Sequence, residues 1–190
     1  MRQLHVTFAS SNPGKYLEAR EILSDFGIQV RHARLDLPEM QADSLAEISE
    51  GKARAAYSLT KTPVFVEDDG LFINSLNGFP GQYSSFAFKS IGNAGILKLL
   101  LGSDDRAATF RSAIAYCDDR AVSISEGLVA GRISDNITAG GWGFDPIFVP
   151  EGSTLTFAQM GAEKNNYSHR RRALEKFAGW LLDYDGTPKA

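Results

Sequence analysis

The sequence predicts an α/β fold, because strand and helix patterns alternate over its first third and an antiparallel strand pair follows later in the chain. Alternating apolar and polar residues in L-H-V-T-F (4–8) predict a first strand with one buried face. Apolar residues at helical spacing follow from Lys15 onward and stop at Gly27. The segment I-Q-V-R-H-A (28–33) then predicts a second strand.

The second helix and the third strand continue this alternation. Ser44 begins S-L-A-E, a capping box completed by Glu47. The inward-facing stripe predicted for this helix is Leu45, Ile48, Ala55 and Leu59. The short apolar run P-V-F-V (63–66) predicts a third strand that ends in E-D-D-G (67–70).

The remainder of the chain predicts further elements without any internal repeat or linker. In order, these are a loop over 76–83, a short helix over 95–102, an antiparallel strand pair over 108–117 and 121–131, a strand over 145–150, and a helix over 168–182. Ser168 is the expected N-cap of the last helix, and Leu174, Phe177 and Leu181 are expected to face inward. One compact domain, with two lobes as an option, is therefore expected.

The bulk composition excludes several classes of protein. The chain has 190 residues, a formal charge of −3 and one cysteine, Cys117. A negative balance gives no bulk attraction to nucleic acid or to anionic lipid, so neither is an expected partner. One cysteine allows no internal disulfide, which suits a reducing cytoplasm. No apolar run has membrane-spanning length and no signal-peptide region precedes the first strand, so we expect a cytoplasmic protein.

The segment S-S-N-P-G-K (10–15) lies where the first strand gives way to the first helix. It is not a Walker loop, because Ala9 stands where that loop begins with glycine and Tyr16 follows Lys15 in place of Ser or Thr. A turn of small residues before a helix leaves backbone N–H groups for an anion, and Lys15 adds a full positive charge. The residues alone also allow an ordinary turn with a solvated lysine.

Three consecutive carboxylates, Glu67, Asp68 and Asp69, follow the third strand. Side chains alternate along a strand, so Asp68 is expected on one side and its two neighbours on the other. Carboxylates at the carboxyl edge of an α/β sheet lie where ligands usually bind, and their mutual repulsion favours a bound cation. Oxygen ligands prefer Mg²⁺ to zinc. The alternative is a polar strand exit into solvent.

Two later segments have residues suited to a flat, polar ligand. G-G-W-G-F-D-P-I-F (140–148) places aromatic residues among glycines, which suits stacking on a base but also ordinary packing at a bend. E-K-N-N-Y-S-H-R-R-R (163–172) puts cations at the start of a helix, where they oppose the helix dipole. These cations indicate a bound anion or a hydrogen-bonding role, and a solvated basic face is the alternative.

Six motifs follow one another along the chain: S-S-N-P-G-K, D-L-P-E-M-Q-A-D, V-E-D-D-G-L, G-F-P-G-Q-Y-S-S, G-W-G-F-D-P-I-F and E-K-N-N-Y-S-H-R. In this order they resemble the inosine triphosphate pyrophosphatase family, the Ham1-like nucleoside triphosphatases, from Phe8 to Leu182. The resemblance implies hydrolysis of the noncanonical purine nucleoside triphosphates ITP, dITP and XTP to monophosphate and pyrophosphate. It also implies a single domain over residues 1–190, an elongated mixed β-sheet flanked by helices, two lobes with a central cleft, and a homodimer.

The resemblance also implies roles for particular residues. Phosphate binding is implied for Ser10, Ser11, Asn12, Pro13, Gly14, Lys15 and Lys52. A purine pocket is implied for Trp142, Gly143, Phe144, Asp145, Lys164, His169 and Arg170. Glu39 and Asp68 match the family's Mg²⁺ carboxylates, and Asp68 also matches its general base. Lys15 would act beside Asp68 in catalysis by countering phosphate charge.

Two residues depart from the family pattern. Asp69 stands where the family usually has Ser or Thr, so the substrate contact implied there would be made by an anion. Trp142 stands where Phe is usual, which preserves an aromatic face for stacking.

Two other functions are compatible with the same residues. A related Maf-like pyrophosphatase would act on modified or pyrimidine nucleotides, and a nucleotide-binding sensor would bind without hydrolysis. Three clustered carboxylates beside a lysine-bearing turn favour an enzyme over a sensor.

Overall fold

The computed structural model describes residues 4–38 and 40–184 of the chain. The strands in these residues are β1 (Leu4–Ala9), β2 (Ile28–Ala33), β3 (Val64–Ile73), β4 (Pro80–Gly81), β5 (Ala107–Cys117), β6 (Val122–Ile133) and β7 (Phe148–Pro150). The helices are α1 (Pro13–Ser24), α2 (Leu45–Thr60), α3 (Ser84–Leu99), α4 (Phe157–Met160) and α5 (His169–Asp183). None of these helices has the length and apolar character needed to cross a membrane.

The strands form one mixed sheet in the order β2-β1-β3-β5-β6-β7, with β4 paired to β3. β1 is parallel to both β2 and β3, whereas β4 and β7 are antiparallel to β3 and β6. Parallel neighbours need long connections, and α1 and α2 lie in the connections that follow β1 and β2. The predicted mixed sheet flanked by helices is confirmed.

The chain divides into two compact units, each with its own apolar core. The first unit holds Met1–Asp68, Ser112–Gly127 and Arg170–Ala190, and the second holds Asp69–Arg111 and Leu128–His169. In the first unit β1 is buried on both faces, because Val6 and Phe8 pack in one apolar cluster and Ala9 in another. The core of the second unit includes Phe148 and Phe157, whose ring centroids lie 5.0 Å apart.

Side-chain caps define the starts of the first two helices. Ser44 Oγ accepts the backbone N–H of Glu47 at 3.2 Å, as the S-L-A-E motif predicts. Asn12 caps α1 in the same way, and Pro13 occupies a first-turn position where its missing N–H costs nothing. The apolar pattern alone predicts that helix α1 begins at Lys15. In the structure it begins earlier, at Pro13.

The buried stripe of α2 differs from the predicted one in its second half. Leu45 and Ile48 are buried as expected, but Leu59 is 63 % exposed. Ala53 and Ala56 are fully buried instead. The helix thus continues its contact with the sheet through small residues, and the larger apolar residue near its C-terminus lies outside that face.

Strand β3 is longer than the sequence predicts. The apolar run 63–66 predicts a strand that ends before the carboxylates, but β3 extends to Ile73. Residues beyond the acidic run pair with the short strand β4, where Leu71 lies opposite Gly81. A Cβ at Gly70 would clash with the carbonyl oxygen of Gly81, so glycine permits this close pairing. The three carboxylates therefore lie within a strand and not at its exit.

Two of the later elements also differ from their predictions, and one agrees. Helix α3 covers Ser84–Leu99 with a break at Gly92 (φ 59°, ψ −167°), so the predicted helix over 95–102 overlaps only its second half and continues past its end. Only Phe148–Pro150 of the predicted strand over 145–150 is extended, because a 3₁₀ turn precedes it. Helix α5 is confirmed, and its predicted inward residues are all buried.

The turn between β5 and β6 in the first unit is organised by Asp118. Its carboxylate accepts the backbone N–H groups of Arg120 and Ala121 at 2.9 and 2.8 Å. The hydroxyls of Tyr116 and Tyr184 donate to the same carboxylate at 2.9 and 3.0 Å. Burial by itself would raise the pKa of Asp118, but these four donors together lower it below its ordinary value.

This lowered pKa predicts a contribution to stability that depends on pH. A carboxyl whose folded pKa lies below its unfolded pKa stabilises the protein above the unfolded pKa, about 4, and this contribution is lost as pH falls through the folded pKa. We expect Asp118→Asn to lower the free energy of unfolding by about 1 kcal/mol at pH 7. Urea denaturation at pH 7 and pH 3 measures this. The gap between wild type and variant should shrink at pH 3, and a constant gap would contradict the assignment.

Candidate active site

The turn after β1 is held together by its own side chains. Asn12 Oδ1 accepts the backbone N–H groups of Gly14 at 2.9 Å and Lys15 at 3.3 Å. Ser10 Oγ accepts the backbone N–H of Asn12 at 3.1 Å, and Pro13 has no N–H. The backbone N–H of Ser10 donates to the carbonyl oxygen of Ala33, so the expectation of free N–H groups is wrong for four residues of this turn. The full positive charge that the turn presents is the ammonium of Lys15, at the N-terminus of α1.

Lys15 lies against the acidic run of β3, inside the first unit. Its Nζ donates to the backbone carbonyl oxygen of Glu67 at 3.5 Å and lies 3.4 Å from Glu67 Oε2. That carbonyl belongs to the peptide group that joins Glu67 to Asp68. The sequence motifs predict that the turn after the first strand and the carboxylates of the third strand form one site. Lys15 therefore meets the acidic run of β3, and this contact involves Glu67.

Glu67 is the centre of a buried ion-pair network. Its side chain is 0 % exposed, and Oε1 accepts Ser112 Oγ at 2.8 Å and Arg170 Nε at 2.9 Å. Arg170 is buried too, and its Nη1 forms a second ion pair with Glu18 of α1. Burying a carboxylate requires a paired charge and further hydrogen bonds, and this network supplies both. Glu67 is therefore not part of a polar strand exit into solvent.

Asp68 makes its contacts with a different helix. Its Oδ1 lies 2.6 Å from Nζ of Lys52, and its Oδ2 accepts Ser49 Oγ at 3.4 Å, both on α2. Neighbouring carboxylates of β3 thus contact different helices, as the alternation of side chains along a strand predicts. The Asp68 side chain is 16 % exposed, in contrast to the fully buried Glu67. Of these two adjacent carboxylates, Asp68 is consequently the one that a ligand or water can reach.

The chemistry of Asp68 fits a magnesium ligand. Carboxylate oxygens are preferred by Mg²⁺, which usually keeps several waters and needs only one or two carboxylates from the protein. The partial exposure of Asp68 is compatible with such a hydrated ion. The ammonium of Lys52 already neutralises much of its charge, so an ion would share Asp68 with Lys52. Glu39, the other predicted magnesium ligand, lies outside the described residues.

In the second unit, Lys164 links two of the residues predicted to line the purine pocket. Its Nζ lies 2.8 Å from Asp145 Oδ2, and both side chains are 5 % exposed. The same ammonium lies over the ring of Trp142, 4.8 Å from its centroid. A cation over an indole face is an attractive arrangement, and it orients the ring of Trp142. The structure therefore brings these three predicted residues together.

The glycine-rich segment around Trp142 is also held from α3. Asn93 Nδ2 donates to the carbonyl oxygen of Gly143 at 3.0 Å, and Asn93 follows the break in α3 at Gly92. Phe144 is buried and makes an edge-to-face contact with Phe88, with ring centroids 5.4 Å apart. Sequence reasoning missed Asn93, and the signal that could have found it is an amide directly after a glycine within an apolar helix.

His169 and Asp69 are neighbours in the second unit. The imidazole of His169 is buried and stacks on Phe110, with ring centroids 4.4 Å apart and an interplanar angle of 6°. Its Nε2 lies 3.5 Å from Oδ2 of Asp69. The departure from the family pattern at position 69 therefore puts a carboxylate beside a residue that the resemblance assigns to purine recognition.

Sequence reasoning also missed two partners of the ion-pair network. Glu18 follows Lys15 by one turn of α1, and this spacing is the only local sign that both side chains point the same way. Ser112 is a hydroxyl within the apolar strand β5 and is 1 % exposed. A buried hydroxyl needs a partner, so Ser112 indicated a polar side chain on a neighbouring strand without identifying it.

The sequence is similar to one known protein family and to named proteins of other organisms. A family model described as the Ham1 family matches residues 6–180. The chain is 50 % identical over 181 residues to a dITP/XTP pyrophosphatase of Methanopyrus kandleri, covering 93 % of this chain and 96 % of that protein. It is 47 % identical over 182 residues to a dITP/XTP pyrophosphatase of Thermococcus kodakarensis, covering 95 % and 98 %.

The fold is similar to that of solved structures. The Ham1 protein of Staphylococcus aureus superposes with a TM-score of 0.81 at 30 % sequence identity. The match covers 94 % of this chain and 98 % of that one. The sequence and structural likenesses both extend over nearly the whole chain.

Proposed function

The chain belongs to the Ham1 family, and from that membership we propose that it hydrolyses noncanonical purine nucleoside triphosphates, dITP, XTP and ITP, to the monophosphate and pyrophosphate. Removal of these nucleotides cleanses the nucleotide pool. The observation that carries the proposal is the arrangement in the first unit, where the lysine of the turn after β1 lies against the acidic run of β3. That run also contains the partly exposed Asp68 with its partner Lys52.

The first unit would act on the phosphate end of the substrate. Residues 10–15, with Lys15 and Lys52, bind the triphosphate, and the two ammonium groups counter the charge that develops on the departing pyrophosphate. Asp68 accepts a proton at a carboxylate oxygen from the water that attacks the α-phosphorus, which makes it the general base. Its hydrogen bonds to Lys52 and Ser49 hold the carboxylate in place for this transfer.

Mg²⁺ is the proposed cofactor, held by Asp68 together with Glu39. When bound, it supplies charge neutralisation on the phosphate oxygens and orients water. The support for it is the oxygen chemistry and partial exposure of Asp68.

The second unit would recognise the purine. Trp142 offers an aromatic face, and the buried Lys164 and His169 offer N–H donors. Hypoxanthine and xanthine carry a 6-keto group that accepts such donors, whereas the 6-amino group of adenine would leave them unpaired. An unpaired buried donor discriminates strongly between substrates. Gly143, Phe144, Asp145 and Asp69 are proposed to complete this set, and the purine role of Arg170 stays a prediction.

A nucleotide panel tests the proposed function. We expect dITP and XTP to be hydrolysed with release of pyrophosphate. We expect kcat/KM for ATP to be lower than that for dITP by about a hundredfold or more. Activity should require Mg²⁺ and disappear with a chelator. Preference for pyrimidine or modified nucleotides would favour the Maf-like alternative, and binding without hydrolysis would favour a sensor. Equal rates on ATP and dITP would contradict the role proposed for Lys164 and His169.

We also propose a homodimer in the cytoplasm. Large apolar side chains of the second unit are exposed, including Phe79, Tyr83, Phe86 and Ile91, and association of two copies would remove such surface from water. The single cysteine, which is buried, suits a reducing compartment. Light scattering on the purified protein and fractionation of the source cells measure these two properties. A monomeric mass would contradict the dimer.

A further inference from the structure

His32, near the end of β2, donates a hydrogen bond to the turn that precedes α1. Its Nε2 lies 2.8 Å from the carbonyl oxygen of Ser10, the first residue of that turn. A carbonyl oxygen can only accept, so Nε2 must carry the hydrogen in either protonation state of the ring. This hydrogen bond therefore persists whether the imidazole is neutral or charged.

The same imidazole also contacts the residue that follows the turn. Its ring stacks on Tyr16, with centroids 4.2 Å apart and an interplanar angle of 6°. Tyr16 is also contacted from within α1, because the guanidinium of Arg20 lies 5.6 Å from the centroid of the Tyr16 ring. One side chain thus contacts the first residue of the predicted phosphate-binding segment 10–15, Ser10, by a hydrogen bond and the residue that directly follows the segment, Tyr16, by stacking.

The backbone of β2 reinforces this attachment. The backbone N–H of Ser10 donates to the carbonyl oxygen of Ala33 at 3.1 Å. Both polar groups of the Ser10 backbone are consequently engaged by the last two residues of β2, the N–H by Ala33 and the carbonyl by His32. The carbonyl oxygen of Ser10 thereby accepts a hydrogen bond from the imidazole of His32.

We propose that His32 is a positioning residue for the triphosphate turn, residues 10–15. It touches no substrate in this role; it holds the first residue of the turn and the residue that follows the turn, so that Lys15 is fixed in place before the triphosphate binds. A preordered turn avoids the entropy cost of ordering on binding, so its benefit is expressed as affinity for the phosphates. This inference rests on the proposed function, in which the turn binds the triphosphate.

Binding of inorganic triphosphate in the presence of Mg²⁺, measured by calorimetry, tests the proposal without involving the purine. We expect His32→Ala to weaken binding about tenfold, the effect of losing one hydrogen bond and the stacking contact. His32→Gln should recover most of the affinity, because its amide can donate to Ser10 from a similar position. His5→Ala is the matched control, since His5 is exposed on the neighbouring strand β1, and it should bind like the wild type.

The kinetics and the ring itself give two further readouts. With dITP, His32→Ala should raise KM more than it lowers kcat, and kcat should stay within about threefold of the wild type, because the variant loses preordering of the turn but keeps the Lys15 ammonium that counters the developing charge. In the wild-type protein, the nitrogen and carbon chemical shifts of the neutral His32 ring should identify the Nε2–H tautomer. The Nδ1–H tautomer would overturn the proposed hydrogen bond, whatever the variants do.

A Lys15→Ala variant separates failure of this inference from failure of the proposed function. It should lose affinity for inorganic triphosphate more strongly than His32→Ala does. If Lys15→Ala weakens binding and His32→Ala does not, the turn binds phosphate without help from His32, and the inference is overturned. If Lys15→Ala binds as tightly as the wild type, the phosphate site in the proposed function is itself wrong.

Discussion

Replacing Asp68 with asparagine is expected to lower kcat for dITP by about two to four orders of magnitude, the usual contribution of a general base. Asparagine has nearly the same shape and retains an oxygen that can accept from Lys52, but its amide cannot take a proton from the attacking water. The free energy of unfolding should stay within about 1 kcal/mol of the wild type, because Asp68 is partly exposed and paired with one lysine.

A pyrophosphate-release assay at saturating dITP measures this effect, with urea denaturation as the check on folding. Asp104→Asn is a matched control, since Asp104 is exposed in the connection before β5, and it should leave kcat unchanged. Turnover of Asp68→Asn at the wild-type rate would remove Asp68 from the mechanism. A large loss of stability in this variant would instead identify Asp68 as a structural residue.

Replacing Arg170 with methionine is expected to lower the free energy of unfolding by about 3–5 kcal/mol. The substitution fills similar space but leaves the fully buried Glu67 without its guanidinium partner. The loss arises because Glu67 Oε1 then lacks the charged donor that compensates its burial, although Lys15 stays 3.4 Å from Oε2. Urea denaturation of the purified variant measures the change.

The neighbouring Arg171 provides the control for this prediction. Its ion pairs with Asp25 and Glu175 involve partners that are 56 % and 45 % exposed, so Arg171→Met should cost about 1 kcal/mol or less. Adding Glu67→Gln to Arg170→Met should restore part of the stability, because the buried charge is then removed and an acceptor for Ser112 is kept.

The same variant separates two roles for Arg170. Resemblance to the family implies that Arg170 recognises the purine, whereas its contacts in the first unit are with Glu67 and Glu18. Wild-type stability combined with selective loss of dITP hydrolysis would support the purine role over the structural one. Loss of stability that Glu67→Gln repairs would support the ion-pair network.

Properties that depend on neighbours in the sequence could be predicted from the sequence alone. The cap at Ser44 and the inward face of α5 were predicted correctly, because both depend on residues three or four positions apart. The apolar patterns locate the first three strands, although the pattern of β3 ends before the strand does. Its extension depends on pairing with β4, which a strand pattern does not contain. The ordered series of motifs was sufficient to indicate the family.

The tertiary structure alone decided which charge neutralises which carboxylate. The sequence predicts that the acidic run of β3 needs a cation, but Lys15 and Arg170 reach Glu67 from 52 and 103 residues away, and Lys52 reaches Asp68 from α2. No local pattern encodes these ion pairs, because they depend on how the helices pack on the sheet. The buried Glu67 and the partly exposed Asp68 are adjacent in sequence and alike in chemistry. Burial, which only packing determines, gives the first a structural role and leaves the second accessible for chemistry.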